Sequence, residues 1–237
     1  MVIAAQNIPS KPVNALEIEF SQMAAFVETQ LGEAILAFER RDVAAAERVI
    51  AADKKTDAAH RAIDDHVMAI LKKGPLDEVS LRQVMSVLKM AADLERVGDL
   101  AKNVAKRTIV ISREMPIRSI PGVVRMGRAS LRQLSDVLNA YNDASLNAAT
   151  AVWGGDDVLD ELYNSIFREI MMEMMTDSSK TSAYTHLVFI AKNFERIGDH
   201  ATNLAEALHY QLTGAGLGDA RPKGDETSER IIAARDD

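Results

Sequence analysis

The sequence predicts an all-α protein built as two tandem antiparallel three-helix bundles related by internal duplication, with no strands. Three observations carry this. Apolar residues recur at spacings of three and four over long stretches, the period of a helix buried on one face. The stretch Leu94-Glu95-Arg96-Val97-Gly98-Asp99-Leu100-Ala101-Lys102-Asn103 returns as Phe194-Glu195-Arg196-Ile197-Gly198-Asp199-His200-Ala201-Thr202-Asn203, at an offset of 100 residues. Val, Ile and Thr nowhere cluster in the alternating runs that strands need.

Taken in order, a short arm ends at Pro12, and Asn14 to Arg40 then places Leu16, Phe20, Met23, Val27, Leu31, Ile35 and Phe38 along one helical face. Asp42 is positioned to cap a second helix, which runs through Val49, Ile63, Val67 and Ile70 to Lys73, where Gly74-Pro75 stops it. A third helix opens at or just before Ser80, carries the first copy of the repeated stretch and fades near Glu114-Met115-Pro116. Pro116 and the Pro121-Gly122 pair mark the boundary between halves. The second half repeats the plan. Val123 to Trp153 reads as a helix, Gly154-Gly155 as a turn, Asp156 to Met175 as a helix capped by Asp156, and Thr176 to Thr181 as a polar loop. A last helix, Ser182 to Leu212, holds the second copy. The Met171-Met172-Glu173-Met174-Met175 cluster reads as gap-filling core. The domains expected are residues 1–115 and 116–212, each a three-helix bundle, followed by a mobile polar tail over 213–237.

Composition narrows the function classes. With 47% hydrophobic and 27% charged residues among 237, the chain is ordinary globular material. A formal charge of -7 argues against nonspecific nucleic-acid binding and suits cations or basic partners. The absence of Cys excludes disulfides, thiolate zinc sites and thiol catalysis. No apolar run reaches the length of a membrane span and no leader-like segment opens the chain, so a soluble, cytoplasmic protein is expected, one that visits a membrane only through a partner.

Positions i, i+4 and i+8 advance by about 40° per step on a helix, so Glu95, Asp99 and Asn103 form one polar row, and Glu195, Asp199 and Asn203 form its duplicate. The helical wheel sets each row opposite the apolar stripe of its own helix, which predicts rows facing away from the bundle core. Like charges at i, i+4 cost about 0.2–0.5 kcal/mol. A glycine in a helix interior costs about 1 kcal/mol relative to Ala. Gly98 and Gly198 lie near the apolar stripe and are read as close helix packing; the acids call for an offsetting ligand. Carboxylate and amide oxygens suit a hard cation such as Mg²⁺, Mn²⁺, Ca²⁺ or iron. Classical zinc ligation is a poorer match, since the His residues do not repeat and His200 has Leu100 as its counterpart. A second echo pairs Asp53 and Asp57 with Asp156 and Asp160. If the second and third helices of each half are neighbours, Asp57 adds an oxygen to the first row and Asp160 to the second. The bland alternative, a solvated face with local ion pairs to Arg96 and Arg196, is worth about 0–1 kcal/mol per pair.

Glu95-Arg96-Val97-Gly98-Asp99 and Glu195-Arg196-Ile197-Gly198-Asp199, each on the third helix of a bundle, resemble the E/D-x-x-x-D motifs of the PhoU family. Asp160-Glu161-Leu162-Tyr163 is similar to that family's second-repeat helix, and the likeness covers about residues 14 to 212. The resemblance implies a cytoplasmic, non-enzymatic negative regulator of phosphate uptake and phosphate-starvation signalling. It implies metal clusters on the surface, held at Glu95, Asp99, Glu195 and Asp199 with Asn103 and Asn203 adjacent, the ions being iron, manganese, magnesium or zinc. The implied partners are the ATPase subunit of a phosphate ABC transporter and a sensor histidine kinase; a homodimer is compatible with the sequence. Two other readings stay open. A metal-free helical adaptor would share the fold. A carboxylate-metal enzyme would need an inward-facing Glu-x-x-His pair, which neither Glu95-x-x-Gly98 nor Glu195-x-x-Gly198 supplies.

Overall fold

The computed structural model describes residues 11–114, 120–155 and 157–217, and among these every regular element is helical. The order is α1 (Lys11–Arg40), α2 (Val43–Leu71), α3 (Glu78–Ile111), α4 (Ile120–Asn142), α5 (Leu146–Gly154), α6 (Asp157–Thr176), a 3₁₀ turn (Ser178–Lys180) and α7 (Thr181–Thr213).

The first three helices follow the apolar spacing closely. Val13, Leu16, Phe20, Met23, Val27, Leu31, Ile35 and Phe38 of α1 are all buried. The α1–α2 turn is made by Arg41 in the left-handed region, φ 54°, and by Asp42, whose carboxylate accepts from Ala45 N at 2.9 Å. Arg41 then reaches back to the far end of α3, donating from Nη2 to the Ile111 carbonyl at 2.7 Å. The orphan carbonyls at the α3 C-terminus are thereby met by a residue of the opposite turn. Asp77 caps α3, accepting from Ser80 N at 3.0 Å.

The second half departs from the sequence reading at several places. The first is α4, which starts at Ile120 rather than Val123 and holds Pro121-Gly122, read as part of the boundary between halves, in its first turn. The single helix expected over Val123 to Trp153 is broken into α4 and α5, because Ala144 takes a left-handed φ of 48° and Ser145 restarts the helix by accepting from Ala148 N at 3.3 Å. A Ser N-cap compensates the break with a satisfied backbone donor. The polar loop before the last helix holds a 3₁₀ turn, and α7 begins at Thr181. The methionine cluster is only partly core: Met174 packs against it, but Met172 and Met175 are 65% and 62% exposed. The Asp156 cap, the Pro116 boundary and most of the tail lie outside the described residues.

The long helices α3 and α7 lie side by side and antiparallel. Early in α3, Asp93 meets His200 and Asn203 of α7; late in α3, Arg107 meets His186. Arg107 also lies 4.1 Å from the centroid of the Phe189 ring. Its Nη1 donates to His186 Nδ1, which requires the neutral imidazole. Burial and the Arg107 charge both push the His186 pKa down, in keeping with that role. One contiguous apolar core runs through both halves. Each motif helix is thus covered by its own bundle and by the other motif helix.

Candidate metal centre

The first acid row is positioned by a glycine. Gly98 is buried between Glu95 and Asp99, and a Cβ there would come within 2.9 Å of Thr56 Cγ2 and 3.3 Å of Gln30 Oε1. Thr56 is fully buried and donates to Gln30 Oε1 at 2.9 Å, so α1 and α2 close on the bare face of α3 as one hydrogen-bonded wall. The packing reading of the glycine holds. Gly98→Ala should lower stability by about 1 kcal/mol, overpacking of about 1–3 kcal/mol being partly offset by about 1 kcal/mol of helix propensity. A urea titration checks this, and a stabilised variant would show that the approach of α2 is not tight.

That close approach brings Asp53 of α2 to the row. Lys102, one turn past Asp99, places Nζ 2.5 Å from Asp53 Oδ2 and 2.6 Å from Asp99 Oδ1. Asp53 is 8% exposed and Lys102 20%, while Arg96, at 3.4 Å from Glu95 and 3.5 Å from Asp99, is 62% exposed. Burial pulls the Lys102 pKa down, but hydrogen bonds and charges from Asp53 and Asp99 outweigh it and hold the pKa above the ordinary lysine value. The ammonium is therefore a permanent charge at neutral pH.

The second row uses the same frame with different fittings. A Cβ on Gly198 would lie 2.5 Å from Leu159 Cδ1 and 3.0 Å from Gln133 Oε1, the counterparts of Thr56 and Gln30. Leu159 precedes Asp160, which is 5% exposed, and Glu195 is 6% exposed. Lys192 donates to Glu195 Oε1 at 2.9 Å and stands 4.9 Å from the Tyr163 ring centroid. The place of Lys102 is taken by Thr202, whose hydroxyl donates to the Gly198 carbonyl at 3.1 Å and accepts from Gln133 Nε2 at 3.3 Å.

Several expectations need correction. The rows were expected to face outward. Glu95 and Asp99 are partly covered and Asn103 is exposed, but Glu195 and Asp160 are buried. A wheel drawn for one helix leaves out α6, whose Leu159 packs on Gly198 and whose Tyr163 ring stands beside Lys192, next to the row. Asn203 does not extend its row: it turns across to α3 and donates to Asp93 Oδ1 at 3.3 Å, beside His200 at 2.8 Å. At i+8 the side chain has rotated by about 80° from the first acid, enough to face the neighbouring helix. From α2, Asp53 shares Lys102 with Asp99, and Asp57, the residue expected to add an oxygen to the row, is half-buried one turn further on. Sequence reasoning passed over Lys102 and Lys192. Their signal was available, i+3 from Asp99 and i-3 from Glu195, but nothing in one dimension distinguishes them from surface lysines.

The donor set is all oxygen, which fits a hard cation. Yet among the described residues no three Asp, Glu or His side chains converge closely enough to hold an ion in this conformation. The seat that carboxylates of two helices share, between Asp53 and Asp99, is filled by the Lys102 ammonium. The first row is thus chemically suited to a cation and closed on one of its own.

The PhoU domain family profile matches residues 20–108 and again 123–208. The phosphate-specific transport system accessory protein PhoU homolog of Caulobacter vibrioides is 40% identical over 215 residues, 90% of this chain and 94% of that protein. The phosphate-specific transport system accessory protein PhoU of Escherichia coli is 30% identical over 224 residues, 94% of this chain and 92% of that one. Among solved structures, PhoU from Pseudomonas aeruginosa superposes with a TM-score of 0.84 at 29% identity, covering 86% of this chain and 98% of its own. The phosphate transport system regulatory protein PhoU from Streptococcus pneumoniae gives 0.78 at 26% identity, covering 86% and 97%.

Proposed function

The chain belongs to the PhoU family, and from that premise we propose that it is a metal-binding negative regulator of phosphate uptake and phosphate-starvation signalling. At the coarser level it is a phosphate-transport accessory protein of that family, and its relatives are named as accessory proteins, not as enzymes. The partners proposed are the ATPase subunit of a phosphate ABC transporter and a sensor histidine kinase, met at the cytoplasmic face of the membrane. No described helix is long and apolar enough to cross a membrane, in keeping with attachment through partners.

The observation that carries the metal reading is the Asp53–Lys102–Asp99 bridge, where carboxylates from two helices already share one cation. Glu95 and Asp99 would hold an ion in the first half with Asp53, and Glu195 and Asp199 with Asp160 in the second. A bound di- or trivalent ion would give an anionic strip the capacity to meet carboxylates or phosphate. The same bridge favours a second reading, a metal-free helical adaptor, because Lys102 neutralises the row unaided.

Capture assays separate the two. Metal-loaded protein should retain the transporter ATPase subunit and the kinase, and Asp99→Asn/Asp199→Asn should lose at least about tenfold in both (roughly 1.4 kcal/mol). Equal capture by wild-type, double variant and chelator-stripped protein would make this an adaptor.

A further inference from the structure

We propose that Lys102 is an internal competitor for the first acid row: an ion can enter between Asp53 and Asp99 only by expelling the Lys102 ammonium. The inference rests on the metal reading of the rows. Lys102 Nζ is within 2.5 and 2.6 Å of carboxylates on two different helices, so it stands where a bridging cation would have to stand. Two positive charges cannot share that gap, since at such separations like charges repel strongly in a partly desolvated setting. The side chain has somewhere to go. Asn103 beside it and Lys106 one turn further are both exposed, so an expelled ammonium moves to the open face of α3 and adds its charge to that of Lys106. Entry of an ion is then coupled to a change at the surface: a half-buried lysine becomes a presented one.

The competitor belongs to one half. The counterpart of Lys102 is Thr202, whose hydroxyl is bonded to the backbone of its own helix at 3.1 Å and carries no charge. Lys192 approaches the second row from the opposite end, three residues before Glu195, so the two rows are closed by lysines of different placement. Substitution at Lys102 should therefore alter one row and leave the other as it was.

The test is titration of metal-stripped full-length protein with Mn²⁺ and Fe²⁺, followed by calorimetry. A Glu195→Gln/Asp199→Asn background isolates the first row, and Glu95→Gln/Asp99→Asn isolates the second. Lys102→Met should tighten binding at the first row by about tenfold or more, with the second row unchanged; Lys102→Gln, which keeps a polar head, should act in the same direction and guards against a folding defect in the methionine variant. As a readout independent of affinity, lysines labelled by reductive ¹³C-methylation should show the Lys102 resonance, identified by its loss in Lys102→Gln, shifting to a solvent-exposed position as metal is added. First-row affinity that is unchanged or weakened in both variants, with the second row still binding, would overturn the proposal and leave the metal reading standing. Failure of every form to bind metal would overturn that reading and this proposal together.

Discussion

Phe194→Ala is expected to lower the free energy of unfolding by about 3–5 kcal/mol, the range for deleting a large side chain from a core that cannot collapse around the gap. Phe194 is fully buried on α7 immediately before Glu195, and its ring lies flat against Gly127 of α4. A Cβ on Gly127 would meet three ring atoms at 2.8, 2.9 and 3.1 Å. A rigid ring cannot give way as a flexible chain end can. Gly127→Leu should therefore also destabilise, by overpacking of at least about 1–3 kcal/mol. The two changes share one volume, so the double variant should cost less than their sum, a coupling of about 0.5–3 kcal/mol by double-mutant cycle. Urea unfolding of the four proteins measures it; additive losses would mean that the ring does not rest on that glycine.

The second large effect is electrostatic. Lys192→Met should cost about 1–3 kcal/mol, because Glu195, whose side chain is 7% exposed, loses the ammonium at 2.9 Å that offsets its desolvation. The figure sits below that for a fully buried pair because Lys192 is 35% exposed and partly screened. Arg96→Met supplies the contrast. That guanidinium is 62% exposed and stands at 3.4–3.5 Å from Glu95 and Asp99, so its loss should change stability by about 0–1 kcal/mol. Thermal and urea unfolding at neutral pH compare the two. Equal effects would mean that the rows are as solvated as the sequence alone suggested.

The helices were legible because long amphipathic segments announce themselves: the stripe from Leu16 to Phe38 and the repeated words around Gly98 and Gly198 each have a local cause. The break at Ala144 was not, since neither Gly nor Pro marks it and Ser145 can cap a helix or lie within one. The acid rows were legible as rows but not in their exposure. Burial of Glu195 depends on α6, and the turn of Asn203 towards Asp93 depends on α3, contacts between residues far apart in sequence. Asp53 was visible in the second echo, but its link to Asp99 runs through Lys102 and depends on the close approach of α2 to α3 at Gly98 and Thr56. Lys102 belongs to the same class: its role appears only once Asp53 is across from it.

The central claim, that the duplicated rows hold cations, is tested most directly by elemental analysis of metal-stripped protein after dialysis against manganese or iron. It is paired with a variant carrying Glu95→Gln, Asp99→Asn, Glu195→Gln and Asp199→Asn. Wild-type protein should retain at least one ion per chain, and the quadruple variant, folded by circular dichroism, should retain almost none. Equal and negligible retention by both would contradict the claim and leave the rows as internal ion pairs closed by Lys102 and Lys192.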